Sequence, residues 1–494
     1  MVRSKNAFAR FGVAGVRQSW PVVAKMAAGL LVATFLSGNA SALTLREAVS
    51  VALESNPQIG QAVQNREAIE FELRQARGLY LPSVDLESSV GVKRLDSPTR
   101  RLGGIEDDEL YPSDVGISIT QKLFDGGARR AELQRQAARV DSASFRVLER
   151  SETIALQVVR EYLEFMLQAQ IVEESRQNEG FHRRISNDIG SLISAGALTE
   201  ADRQQARERL LAAQIRTKEA IEELEAAKIR FLTLVGKPLT NPSRPASVAR
   251  AIPGSLDAAI GVARSNNPRI RVANADIDVA EALVRDARSR YMPEVFAEGR
   301  ARIGHDIDGA DGRTSDLQAR VVARWNLYRG GIDTANEQEQ IRRVSEQRLV
   351  LHQSHREVEE AVRISWDRRQ RQIDLARSLR EQAATNAQLV RSYSEQLAIG
   401  QRSLLDVLGA QNTSYNVNIL ARTADYAALF AEYRILASTG TLLNTLGMAS
   451  PQQAEAYARQ EFNVPKTPAV DTHARLPSRQ VNDLPLDLLA PIRK

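Results

Sequence analysis

The 494-residue chain is predicted to be mainly α-helical with a transmembrane β-barrel contribution. Three observations lead there. The sequence is written twice, and each copy passes in the same order from a helical to a two-residue apolar period. No proline interrupts the stretches from Ser113 to Lys237 and from Glu294 to Ser450, which read as very long helices.

The chain opens on a leader. Arg3, Lys5, Arg10, Arg17 and Lys25 precede the apolar run Met26 to Leu36, and small residues end at Ala40-Ser41-Ala42, so residues 1–42 read as a secretory signal peptide. Those five cations equal the whole net charge of +5, which leaves the remainder neutral and removes the argument for a nucleic-acid partner. With no cysteine there are no disulfides, no thiolate metal sites and no lipid-anchor cysteine.

Duplication sets the organisation. Leu45-Arg46-Glu47-Ala48, ending at Asn56-Pro57, returns as Leu256-Asp257-Ala258-Ala259, ending at Asn267-Pro268, an offset of 211. Leu123-Phe124-Asp125-Gly126-Gly127 returns as Leu327-Tyr328-Arg329-Gly330-Gly331 at an offset of 204. Gly196 and Asp202 match Gly400 and Asp406 at that same offset, and Val235-Gly236 aligns with Leu446-Gly447 at 211. This alignment predicts that the second copy loses seven residues between its strands and regains them as two turns of its last helix. The repeats span 43–247 and 248–450, followed by a tail over 451–494.

In each copy two helices come first, at 45–55 and 58–79 in copy one. Two-faced strands follow at about 83–92, 114–123, 294–303 and 317–327. In the first of them Val84, Leu86 and Val90 oppose Ser83, Asp85 and Glu87. Strands of about ten residues suit a bilayer. Tyr80, Phe124, Tyr291, Trp325 and Tyr328 fall at the helix-proximal ends, where a membrane-interface girdle belongs. The opposite ends lead into polar loops, 94–113 and 304–315. Helical hairpins at about 126–236 and 330–447 complete the copies, with a coiled-coil seam at Leu156, Val159, Leu163 and Met166. The proline-rich tail has no periodicity and reads as mobile, and because the chain leaves the last helix away from the strands it is expected on the periplasmic side.

Four strands cannot close a membrane barrel, and an open edge in lipid leaves amides without partners, so several copies must pool their strands around a water-filled lumen. A soluble periplasmic coiled-coil adaptor or structural rod is the alternative. It accounts for the leader and helices but not for two-faced strands flanked by aromatics.

With both repeats, the Asn-Pro pairs, the paired Gly-Gly turns and two Gly-x-x-Thr/Ser-x-x-Asp turns, residues 44–450 resemble the TolC family of outer-membrane exit ducts. The resemblance implies a homotrimer in the outer-membrane lipid, with a 12-stranded barrel open to the outside and a 12-helix α-barrel in the periplasm. It also implies a periplasmic adaptor (membrane fusion) protein and an inner-membrane ABC or RND transporter docking at the far tip, and cargo of type I protein secretion, drug efflux or both.

That tip is placed at Gly196, Thr199 and Asp202 and at Gly400, Arg402, Ser403 and Asp406. Each glycine ends one helix, each hydroxyl caps the next, and each Asp falls at the third helical position. By the resemblance, Asp406 matches an acidic pore ring, Arg402 a basic latch, and Asp202 its acidic counterpart. Three copies of Asp406 near a shared axis would attract cations. The sequence departs at Gly409, where a second acidic ring is expected, and at Leu397, where a latch tyrosine is often found.

Other constellations carry less. His352 and His355 lack a third ligand and read as helix surface. Asp306, Asp308 and Asp311 lack a calcium loop's spacing and terminal Glu, and read as a hairpin turn. Glu106 to Glu109 reads as a solvated loop tip. No catalytic or cofactor motif is present in the sequence, so no enzyme activity is expected.

Overall fold

The computed structural model describes residues 43–468, except Ala195, Ala197 and Ala310. The leader and the tail beyond Pro468 lie outside the described residues. In chain order the main elements are α1 (Leu45–Ser55), α2 (Pro57–Gly78), β1 (Ser83–Val90), β2 (Ser113–Phe124), α3 (Ala128–Ser194) and α4 (Glu200–Val235). The second copy gives α5 (Leu256–Asn266), α6 (Pro268–Ser289), β3 (Glu294–His305), β4 (Arg313–Arg324), α7 (Ile332–Ala398) and α8 (Leu404–Thr439). Corresponding helices have identical lengths of 11, 22, 67 and 36 residues in the two copies. At about 1.5 Å per residue, the longest run about 100 Å.

The Asn-Pro pairs explain how each copy is joined. Asn56 caps α2 by accepting from the Gln58 N–H at 2.9 Å, and its amide donates to the Leu234 carbonyl at 3.1 Å. Asn267 repeats this, accepting from Arg269 N–H at 3.0 Å and donating to the Ser438 carbonyl at 2.9 Å. One side chain thus satisfies an orphan donor at a helix start and an orphan acceptor at a helix end.

This geometry corrects the repeat alignment. The glycine that ends α4 is Gly236 (φ +80°), and its counterpart is Gly440 (φ +71°), not Gly447. The last helix therefore regains no residues. A side chain at Gly440 would meet the Asn266 carbonyl oxygen at 2.9 Å, so both the left-handed backbone and the close approach of α5 require glycine.

The strand limits also differ from the expected ones. β1 stops at Val90 rather than at 92 because its next partner would be Pro112, which has no N–H for the ladder. β4 runs 313–324 rather than 317–327. Its start is set by the turn 306–312, with Asp306, Asp308, Gly309 and Gly312 all at positive φ, and its end by Pro293, which precedes the partner strand. Trp325 consequently lies beyond the strand. The segment between β1 and β2 holds a helical turn, Pro98–Leu102, and a two-stranded ribbon, Lys93–Arg94 with Glu109–Leu110.

The main core draws on both repeats. Tyr162, Phe231, Ile154, Leu436 and Leu442 are fully or almost fully buried, and Tyr162 meets Phe231 edge to face at 6.2 Å between ring centres. Glu152 is buried in the same core. Burial pushes its carboxyl up to about 7, although the backbone N–H groups of Leu443 and Leu442 oppose the shift. The folded chain thus holds a proton that the unfolded chain releases between about pH 4.5 and 7, so stability falls as pH rises through that window. Glu152→Gln is expected to stabilise the protein at pH 8 by on the order of 2 kcal/mol and to flatten its melting temperature against pH. Equal pH slopes in both proteins would count against this.

The described part of the tail departs most from expectation. Residues 451–468 are packed, with a helical turn at Ala458–Glu461 and with Ala454, Ala458, Arg459 and Val464 buried. The cause is ionic. Arg459 donates from Nε to Asp141 of α3 (2.9 Å) and from Nη1 to Asp278 of α6 (2.7 Å), while Asp141 also accepts from the Ala458 N–H at 2.8 Å.

Candidate functional site

The four main strands form one antiparallel sheet in the order β1-β2-β3-β4, with β1 and β4 as its edges. The register aligns the alternation of all four. Leu86, Ile117, Ala301 and Leu317 form one cross-strand row, and Val84, Ile119, Gly299 and Ala319 the next. On the opposite face lie the rows Asp85, Ser118, Arg300, Gln318 and Ser83, Thr120, Glu298, Arg320, where Arg320 donates to Glu298 at 2.8 Å. A one-residue slip in any strand would mix the two faces. The apolar rows are bare within one chain, with Leu86 72% and Leu317 85% exposed. No helix among the described residues is long and apolar enough to cross a membrane.

Tyr80, Phe124, Tyr291, Trp325 and Tyr328 all lie at the helix-proximal end of this sheet and are exposed. Trp325 donates from its indole nitrogen to the Tyr291 carbonyl at 3.1 Å, and the Arg129 guanidinium sits 4.8 Å from the Tyr80 ring centre.

Between sheet and long helices, the two Gly-Gly turns are related by a charge inversion. Asp125 accepts from the Gly127 and Arg129 N–H groups, each at 3.1 Å, and from Arg129 Nε at 2.7 Å. Burial alone would raise the Asp125 pKa, but these donors hold it below the usual carboxylate range. In the second copy Arg329 stands at the position of Asp125 and Asp333 at that of Arg129, paired at 3.4 Å. The pair was legible in sequence as a swapped i,i+4 couple at the 204 offset.

At the far tip, Gly196 and Gly400 take φ of +75° and +73°. Thr199 caps α4 in a reciprocal box: its hydroxyl accepts from the Asp202 N–H at 3.4 Å, and the Asp202 carboxylate accepts from the Thr199 N–H at 2.8 Å. Ser403 caps α8, accepting from the Asp406 N–H at 3.2 Å and donating to the Asp406 carboxylate at 2.8 Å. The turns are brought together by a small core of Ile189, Ala206, Leu397, Leu404, Val407 and Leu408.

Arg402 lies 3.8 Å from Asp406, donates to Gln396 at 3.1 Å and stacks on Tyr393 at 4.2 Å from the ring centre. Among the described residues, no hydrogen bond or ion pair within one chain joins Arg402 to Asp202. Leu397 is buried in the tip core, and Gly409 is exposed with open space beside it. Tyr393, one turn before Leu397, is the tyrosine that meets Arg402. Sequence reasoning missed it, although an i−4 spacing puts it on the same helix face.

A family model described as outer membrane efflux protein matches residues 48–237 and 259–441. Outer membrane efflux protein BepC of Brucella suis biovar 1 is 24% identical over 422 residues, 84% of this chain and 90% of that protein. Alkaline protease secretion protein AprF of Pseudomonas aeruginosa is 24% identical over 419 residues, 81% and 86% respectively. Outer membrane protein TolC of Escherichia coli is 23% identical over 464 residues, 89% and 92%. The crystal structure of the Campylobacter jejuni CmeC outer membrane channel superposes with a TM-score of 0.71 at 15% identity, covering 85% of this chain and 89% of that one. Two matched segments at the positions of the two structural repeats carry the conclusion: the chain belongs to the outer membrane efflux protein family, as an outer-membrane channel protein and not an enzyme, with its helical part in the periplasm.

Proposed function

We propose that three copies pool their sheets into a 12-stranded barrel and their hairpins into a periplasmic tunnel, the exit duct of a tripartite export system. The observation that carries this is a sheet with one bare apolar face and two unpaired edges. Strand directions alternate, so β4 of one copy can join β1 of the next in the same antiparallel sense, and closure removes every edge. The aromatics at the helix-proximal end then lie at the membrane interface. Outer-membrane fractionation and a heat-sensitive trimer band on gels test the assembly. A soluble monomer in the periplasmic fraction overturns it and favours a rod.

In this reading the tip is a gate, docked by a periplasmic adaptor and an ABC or RND inner-membrane transporter. Asp406 is exposed and held near the turn by Ser403, and three copies form one acidic ring. Gly409 contributes no second ring. Arg402, held against Tyr393 and Gln396, is the latch. Asp202 is committed to its own capping box within one chain and faces the latch only across a subunit boundary.

Asp406→Ala is expected to raise single-channel conductance in planar bilayers and weaken block by multivalent cations at least tenfold, about 1.4 kcal/mol per site. Unaltered traces and block would refute the ring. The names of AprF and BepC refer to protease secretion and to efflux, so cargo is tested by deleting the gene and comparing secreted proteins with drug susceptibility.

A further inference from the structure

The sheet end farthest from the helices does not simply open. Ile307 and Asp308, at the start of the turn after β3, fold back over the polar face of the sheet. Arg302 lies on that face, in a row with Glu87, Gly116 and Asp316, and is ion-paired with Asp308 of the turn. Gly304 shares the face with its partner Asp114. A side chain there would meet the Asp114 Cβ and the Ile307 Cγ2, each at 2.9 Å. Ile307, only 3% exposed, therefore occupies the space above Gly304 on the polar side.

The longer loop is fastened to this turn. Arg100, 3% exposed, donates to the Ile105 carbonyl (2.8 Å) and the Asp108 carbonyl (3.3 Å) of its own loop. It also donates to the Gly309 carbonyl and to Asp311 in the turn, both at 3.3 Å. Leu95 packs so closely on Gly309 that an added side chain would come within 2.5 Å of it. A guanidinium buried on two loops through four acceptors leaves neither loop free to move alone.

We propose that these two loops form one stapled cap on the lumen side of the outer strand ends, so that the outer mouth is a size filter and not an open end. This rests on the trimeric-barrel reading, which makes the polar face the lumen. It differs from the open barrel that the family resemblance implies.

The cysteine-free chain allows a direct test in outer-membrane vesicles. Ser118→Cys places one thiol on the polar face, four residues below Asp114 and the cap, and Ile117→Cys places its neighbour on the apolar face. Each is labelled from outside with a small charged methanethiosulfonate and with a maleimide on a long polyethylene glycol. Arg100→Ala and, as a milder change, Arg302→Gln are added to the Ser118→Cys background.

The expected result is that the small reagent labels Ser118→Cys in every background, while the polymer reacts about tenfold faster once either staple is removed. An equal polymer rate with and without the staples overturns the cap and leaves the barrel standing. If the small reagent labels Ile117→Cys as fast as Ser118→Cys, the two faces are equally wet and the barrel reading itself fails. Trimer bands on gels identify any variant that does not assemble. Arg302→Gln keeps the Arg100 staple and so tests the cap if Arg100→Ala misfolds.

Discussion

Arg459→Ala is expected to lower stability by about 3–5 kcal/mol, among the largest effects of any single substitution in the described residues. The substitution strands two carboxylates in the interior, Asp141 at 2% and Asp278 at 0% exposure. Asp141 keeps the N–H groups of Ala458 and Arg459, and Asp278 keeps the Thr467 N–H at 2.8 Å. Neither retains a counter-ion in this triad. Because Asp141 belongs to the first repeat and Asp278 to the second, the loss also frees the strap that ties them. Urea unfolding of the detergent-solubilised protein reads the change. Arg77→Ala is the matched control, since its pair with Glu461 at 2.6 Å is half exposed on both sides, and exposed pairs are worth about 0–1 kcal/mol. Replacing Arg459, Asp141 and Asp278 together by apolar or neutral residues of similar volume should recover most of the loss. Equal midpoints for Arg459→Ala and Arg77→Ala would show that the triad is not a buried ionic clamp.

The second large effect is expected in the sheet, where adjacent residues should respond oppositely. Leu86→Arg puts a cation on the bare apolar face and should cost about 2–4 kcal/mol per copy if that face meets the bilayer midplane. Asp85→Arg, one residue away, enters the polar row that contains Ser118 and Gln318 and should be tolerated. A trimer carries the penalty three times. The heat-resistant trimer recovered from the outer membrane should therefore fall at least about tenfold for Leu86→Arg and change little for Asp85→Arg. Equal recovery of the two variants would mean that the apolar rows do not face lipid.

Much of this arrangement could be read in advance because it is local. Thr199 and Ser403, each followed three residues later by Asp, mark the starts of α4 and α8, and Gly196 and Gly400 mark the turns before them. The alternation at Val84, Leu86, Ile117 and Ile119 declares two-faced strands whatever they pair with. Pro112 and Pro293 are visible in the sequence and could have set the limits of β1 and β4. A proline stops a ladder only through its partner strand, so these two limits follow only once the pairing is known.

The tip is partly legible for the same reason. Capping by Thr199 and Ser403 spans three residues, whereas the meeting of Ile189 with Leu404 depends on how two hairpins pack. The stacking of Arg402 on Tyr393 lies between these cases: it closes across one turn of chain, yet the turn had to be folded before the helix face could be seen.

Periodicity and punctuation, acting between residues no more than a few positions apart, together with the internal offsets of 211 and 204, were sufficient to write the two repeats, their helices and their two-faced strands. Folding in three dimensions decided the remainder: Gly440 as the end of α8, the order that places β2 beside β3, the loops stapled by Arg100, and the tail clamped by Arg459. In the clamp, partners lie 318 and 181 residues apart along the chain. No periodic pattern encodes such a contact, because the burial that makes two carboxylates and one guanidinium seek each other exists only after the helices have packed.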